Sequence, residues 1–94
     1  MPLYLIRRPF PGAKPAEIDA AGFRALACAP FYPGMRWIRS FHDTQAEEMF
    51  CIYEARSADD IWRHAEQSSI PCASVVTVSE IVPPPVPAAA ASTA

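Results

Sequence analysis

Along this chain, stretches of alternating or continuous apolar residues take turns with stretches where apolar residues recur every three to four positions. Leu3-Tyr4-Leu5-Ile6 is a short apolar run closed by Pro9 and Pro11-Gly12. It predicts a first strand over residues 2 to 8, with prolines only at its margins. Lys14-Pro15 then opens a helix, because proline suits the first helical turn and Glu17 and Asp19 complement the helix dipole. Its apolar stripe is Ile18, Ala21, Gly22, Ala25, Leu26 and Ala29, flanked by Phe23. The helix stops before Pro30, since the residue preceding a proline is pushed out of α space. Phe31-Tyr32-Pro33-Gly34 reads as a turn.

Met35 to His42 predicts the second strand. Strict alternation puts Met35, Trp37, Arg39 and Phe41 on one face, and Arg36, Ile38, Ser40 and His42 on the other. A polar loop over Asp43 to Glu47 has hairpin length. Glu48 to Arg56 predicts the third strand, with Met49, Cys51, Tyr53 and Ala55 on one side and Phe50, Ile52 and Glu54 on the other. Ser57 is a good N-cap, with Asp60 as a short capping-box partner. The helix that follows runs to about Ser69, with Ala58, Ile61, Trp62 and Ala65 inward and His64 on the edge of the stripe. Ile70-Pro71 ends it, and Cys72 to Val82 is the last strand.

The order β-α-β-β-α-β is the ferredoxin-like plan, an α+β fold with a four-stranded antiparallel sheet. Residues 1 to 82 form that domain, and the proline- and alanine-rich residues 83 to 94 form a flexible tail. Two helices cover one face of such a sheet. The second and third strands nevertheless carry bulky apolar residues on both faces, where a one-sided sheet would alternate. The uncovered face then calls for a second copy of the chain on a two-fold axis. The expected assembly is a homodimer of the dimeric α+β barrel type.

Composition narrows the function classes. The 94 residues are 51% hydrophobic and 19% charged, with a net charge of −2 and Lys14 as the only lysine. No basic patch is large enough for phosphate-driven nucleic-acid binding. No apolar run is long enough to span a membrane. The N-terminus lacks the order of a signal peptide. Cys28, Cys51 and Cys72 make an odd count without C-x-x-C, which suits free thiols in a reducing cytoplasm. No P-loop, dinucleotide, zincin or hydrolase motif is present.

Three groups of residues are candidates for chemistry. Cys51 and His64 approach each other if Cys51 faces the helices. Imidazole and thiolate suit nickel or zinc, and the same pair suits a nucleophile with its base. His42, with Asp43, Glu47 and Glu48, flanks the hairpin loop, where a histidine and carboxylates collect a divalent cation. Tyr4, Trp37, Arg39, Tyr53 and Glu54 are candidates for a pocket. Arg39 shares the face of Trp37 and Phe41, and a buried guanidinium there needs an acidic partner such as Glu54.

The strings Trp37-Ile38-Arg39-Ser40-Phe41, Cys51-Ile52-Tyr53-Glu54-Ala55 and Ile61-Trp62-Arg63-His64-Ala65-Glu66, followed by Ile70-Pro71 and a valine-rich strand, resemble a family of small bacterial ferredoxin-like proteins associated with nickel binding. Residues 1 to 82 carry the resemblance. It implies a ferredoxin-like dimer that binds Ni2+, with Cys51 and His64 at the family's cysteine and histidine positions. It implies no catalytic activity. The leading expectation is therefore a cytoplasmic, non-enzymatic, nickel-binding homodimer, with metal donors among Cys51, His64 and His42. The alternatives are a small dimeric enzyme or small-molecule binder built around Cys51 and His64, and an interaction module that uses the tail or a sheet edge.

Overall fold

The computed structural model describes residues 1–86; the expected tail lies mostly beyond them, in residues 87 to 94. The elements are β1 (Leu3–Pro9), α1 (Pro15–Cys28), a 3-10 turn (Ala29–Phe31), β2 (Arg36–Asp43), β3 (Glu48–Glu54), α2 (Ala58–Ser68) and β4 (Ser74–Val78). The order is the one expected, and the fold is ferredoxin-like. The strands lie in the order β2-β3-β1-β4, each antiparallel to its neighbours. The last strand is shorter than expected, starting at Ser74 and ending at Val78.

Local chemistry sets the boundaries. The Lys14 backbone N–H donates to the Glu17 carboxylate at 3.1 Å, so the first turn of α1 is capped from within. Tyr32 O accepts the Met35 N–H at 3.0 Å, and Gly34 takes φ +81. Proline followed by a positive-φ glycine makes the type II turn that feeds β2. Ser57 Oγ accepts the Asp60 N–H at 3.2 Å and starts α2. Asp60 does not complete the expected capping box: its carboxylate accepts from Arg56 Nε at 2.9 Å. The end of α2 is Ser69, in the left-handed region at φ 56. Arg24 on α1 donates to the Ser68 and Ser69 carbonyls at 2.8 and 3.2 Å, which satisfies the free end of α2 and ties the helices together.

The core lies between the sheet and the helices. Tyr4, Ile6, Cys51, Tyr53, Ala55 and Ile61 are buried there with Met35, and Val75 packs against them. On α2 the inward residues are Ile61, His64, Ala65 and Ser68. Trp62, expected inward, is 43% exposed, and His64, expected on the edge, is completely buried. The stripe 61-64-65-68 is a regular i, i+3, i+4, i+7 face, and Trp62 sits a third of a turn away from it. On α1, Ala21 and Ala25 are buried, while Leu26 and Phe23 face outward.

One irregularity changes which residues share a face. The pairing of β2 with β3 shifts between Trp37 and Arg39, leaving Ile38 as an extra residue. Such a bulge reverses the alternation beyond it. Trp37, Ser40 and His42 therefore oppose Tyr53, Cys51 and Met49 on the helix side, and Arg36, Arg39 and Phe41 oppose Glu54, Ile52 and Phe50 on the other side. The expected face of Met35, Trp37, Arg39 and Phe41 is thus split. Arg39 is exposed and needs no buried partner; Arg36 approaches Glu54, at 3.7 Å.

No described element covers the second face of the sheet. Leu3, Leu5, Ile52 and Phe50 are partly buried there, and Phe41 and Val76 are 59% and 51% exposed.

Candidate functional site

The residue that the sequence reading passed over is Arg8. Along β1, Tyr4, Ile6 and Arg8 point in turn toward the helices, and all three are buried. Arg8 is only 2% exposed. Its Nη1 donates to the Pro71 carbonyl at 3.0 Å, and its guanidinium carbon stands 5.5 Å from the centre of the Tyr53 ring. Its Nη2 has no partner among the described residues. The ion pairs of the described residues are Arg7–Glu48, Arg36–Glu54, Arg56–Asp60 and Arg63–Asp59, so Arg8 has no carboxylate of its own. A buried charge is expected to be paired or neutralised, and arginine stays protonated in proteins.

Arg8 lines a half-open cavity of about 490 Å³ between the sheet and α1, with the exposed Asp19, Phe23 and Leu26 at its mouth. Phe10, Met49, Cys51, Tyr53 and Ile70 also line it, as does Trp37, whose ring reaches α1 at Gly22. A Cβ on Gly22 would stand 3.4 Å from that ring. Trp37 stacks on Tyr53 with centroids 6.1 Å apart. Its indole N–H donates to Ser40 Oγ at 2.8 Å, and Ser40 in turn donates to Cys51 Sγ at 2.9 Å. The bulge makes this chain possible, because it turns Trp37 and Ser40 to the same side as Cys51. Burial pushes the Tyr53 phenol up to about 12, with the Arg8 charge opposing the shift. Tyr53 therefore keeps its proton at neutral pH.

His64 lies behind this wall. Its ring is 5.7 Å from that of Tyr53 and 5.8 Å from that of Tyr32. Nε2 is 2.9 Å from the Ala25 carbonyl oxygen. A carbonyl only accepts, so Nε2 carries the proton and Nδ1 holds the lone pair. Nδ1 is buried with no partner. Burial holds the imidazole below its ordinary 6.5, the Ala25 bond opposes the shift, and the Arg8 charge adds to it.

The candidates from the sequence are thus dispersed. Tyr4, Trp37, Tyr53, Cys51 and His64 lie on the helix side of the sheet. Arg39 and Glu54 lie on the opposite side, so the sheet divides the expected pocket set. Arg39 instead joins Leu3, Ile38, Ile52 and Val78 around a shallow cleft of about 160 Å³ on the uncovered face. His42 is exposed at the end of the edge strand β2. The carboxylates near it are engaged: Glu48 with Arg7, Glu47 with the Gly12 N–H, and Asp43 with the Gln45 and Ala46 N–H groups.

Within one protomer these residues do not make a metal centre. No group of three His, Cys, Asp or Glu residues converges among the described residues. His64 resembles a ligand in one respect, since its second nitrogen is fixed on a carbonyl. The Arg8 guanidinium nevertheless bears on His64 and on the Tyr53–Cys51 wall, and a fixed positive charge repels a divalent cation. Nor do Cys51 and His64 form a nucleophile and base: Cys51 accepts from Ser40, and His64 donates to Ala25.

A four-stranded antiparallel sheet with two helices on one face defines a small α+β protein of the ferredoxin-like class. Residues 4–78 match the family described as nickel responsive protein SCO4226-like, and the chain belongs to that family. Its fold is similar to that of SCO4226 from Streptomyces coelicolor A3(2), known from a crystal structure. The two superpose with a TM-score of 0.75 at 16% identity, over 85% of this chain and 99% of that one. No curated protein matches the sequence. No described helix is long and apolar enough to cross a membrane.

Proposed function

We propose that this chain is a cytoplasmic nickel-binding homodimer without catalytic activity of its own, in which the metal takes donors from two protomers. The observation that carries the reading is the match of residues 4–78 to a family described as nickel responsive. Two features support the shared site. Among the described residues a single protomer brings too few donors together, and the uncovered apolar face of the sheet suits a second copy. Of the three sequence donors, His42 is the one a cation reaches from solvent: it points to the helix side but is exposed at the end of the edge strand β2, at the margin of the sheet, whereas Cys51 and His64 are buried beside the Arg8 charge. Imidazole is a suitable nickel donor. The three free cysteines suit a reducing compartment.

Calorimetric titration of the reduced protein with nickel, paired with sedimentation, tests this reading. The expected result is binding with fewer metal ions than protomers, lost in His42→Ala and kept in the Cys51→Ser, His64→Gln double variant. A monomer that gives no heat above the buffer control overturns it.

A further inference from the structure

We propose that the cavity beneath α1 is a binding site for a small organic carboxylate with an apolar body, its head group on Arg8. This goes beyond nickel binding and does not depend on it. The starting point is the Arg8 guanidinium, which has the Pro71 carbonyl and the Tyr53 ring beside it but no carboxylate among the described residues. Arg8 is 2% exposed, one of its amino groups has no partner, and no carboxylate of the described residues pairs with it. The Pro71 carbonyl and the Tyr53 ring answer part of this permanent buried charge with dipoles, and an anion would answer it in full. The planar fork of a guanidinium matches a carboxylate in particular.

The cavity supplies the rest of the ligand. Its volume of about 490 Å³ is that of a small-molecule site. Met49 and the stacked pair Trp37 and Tyr53 give it apolar walls, and Cys51 is the thiol on the same surface. Asp19 also lines the cavity, from the exposed side of α1. Its carboxylate is in water and is screened there, whereas Arg8 is shielded. The buried charge therefore sets the sign of the ligand. Sequence reading missed the site because Arg7 and Arg8 look like a surface pair, yet the alternation Tyr4, Ile6, Arg8 already places Arg8 inward.

The test uses the purified full chain and three probes of one chain length: decanoate, decanol and decylamine. Binding is followed by the quenching of tryptophan fluorescence, since Trp37 lines the cavity. Decanoate is expected to bind at least ~10-fold more tightly than decanol, the scale of a charge-assisted hydrogen bond. Decylamine is expected to bind more weakly than either. In Arg8→Met the preference for decanoate over decanol should disappear while both still enter. A second measurement needs no variant: decanoate should slow alkylation of Cys51 by iodoacetamide and leave Cys28 unaffected, as read by peptide mass spectrometry. Equal affinity for decanoate and decanol overturns the proposal, as does tighter binding of decylamine, or undiminished alkylation of Cys51 in saturating decanoate. Nickel titration of the same samples keeps the two readings separate, because decanoate preference and nickel heat are lost by different variants.

Discussion

Two buried polar side chains, Arg8 and His64, face each other's fields in the layer between sheet and helices, and each leaves one nitrogen unpaired. Both fill buried space, and both do so with a polar head. Arg8→Met should therefore leave the ligand-free protein as stable as the native chain, or raise its stability by about 1 kcal/mol, because methionine fills similar space without a charge to desolvate. Urea unfolding measures this, and a large loss would show that the Pro71 carbonyl and Tyr53 ring already compensate the guanidinium. His64 gives a pH signature. Its folded value lies below the ordinary 6.5 of the unfolded chain. At neutral pH both states are uncharged and nothing is lost. As pH falls through 6.5, the unfolded chain takes up a proton that the folded chain resists, so stability declines until the folded value is passed. His64→Gln should flatten the slope of unfolding free energy between about pH 7 and 5. The position of Arg8 was legible in its alternation with Tyr4 and Ile6. Its consequence was not, because a sequence shows which way a side chain points but not whether a carboxylate waits for it.

At the scale of elements, the spacing of apolar residues, prolines and caps placed every strand and both helices, and most ends fell within a residue or two. The failures have specific causes. Alternation along β2 breaks at the bulge near Ile38, where no glycine or proline marks the sequence, so strict alternation puts Arg39 and Trp37 on one face while the fold puts them on two. Trp62 fits the stripe of Ala58, Ile61 and Ala65 at i, i+3, i+4, i+7, yet the same spacing read from Ile61 through His64, Ala65 and Ser68 is the face that the fold buries. Two caps give direct tests. Ser57 Oγ is the acceptor at the start of α2, so Ser57→Ala should lower stability by about 1 kcal/mol. Ser69 holds φ 56 without being glycine, a conformation that a Cβ disfavours. The Ser69 and Ile70 N–H groups close the helix on the Glu66 and Ala65 carbonyls, and glycine would keep that geometry. Ser69→Gly should then raise stability by roughly 0.5–1 kcal/mol in the same urea assay.

For the whole molecule, the decisive fact is the asymmetry of the sheet. Both helices lie on the side of Tyr4, Ile6, Cys51 and Tyr53, and the other side carries Leu3, Leu5, Phe50, Ile52, Phe41 and Val76 with no described element over it. Part of that side is closed by its own long polar residues, since Arg7 pairs with Glu48 and Arg36 approaches Glu54 at its margins. The centre stays apolar. Charges at a rim with an apolar middle are the anatomy of an interface. A single charge set in the middle should therefore act on association and not on folding. Ile52 sits on β3, opposite Leu5 on one side and Arg39 on the other, and points away from the core beneath the helices. In Ile52→Arg the guanidinium would meet its own symmetry mate or apolar side chains when two sheets close, and would be solvated when they part. Sedimentation velocity at micromolar concentration should show the native chain as a dimer and Ile52→Arg as a monomer, with the same far-ultraviolet dichroism for both. Because the cavity at Arg8 is on the opposite side of the sheet, the monomeric variant should still prefer decanoate to decanol, while nickel binding that needs two protomers should vanish with the dimer. A variant that stays dimeric would place the contact on the helices, where Phe23, Leu26 and Trp62 are the exposed apolar residues.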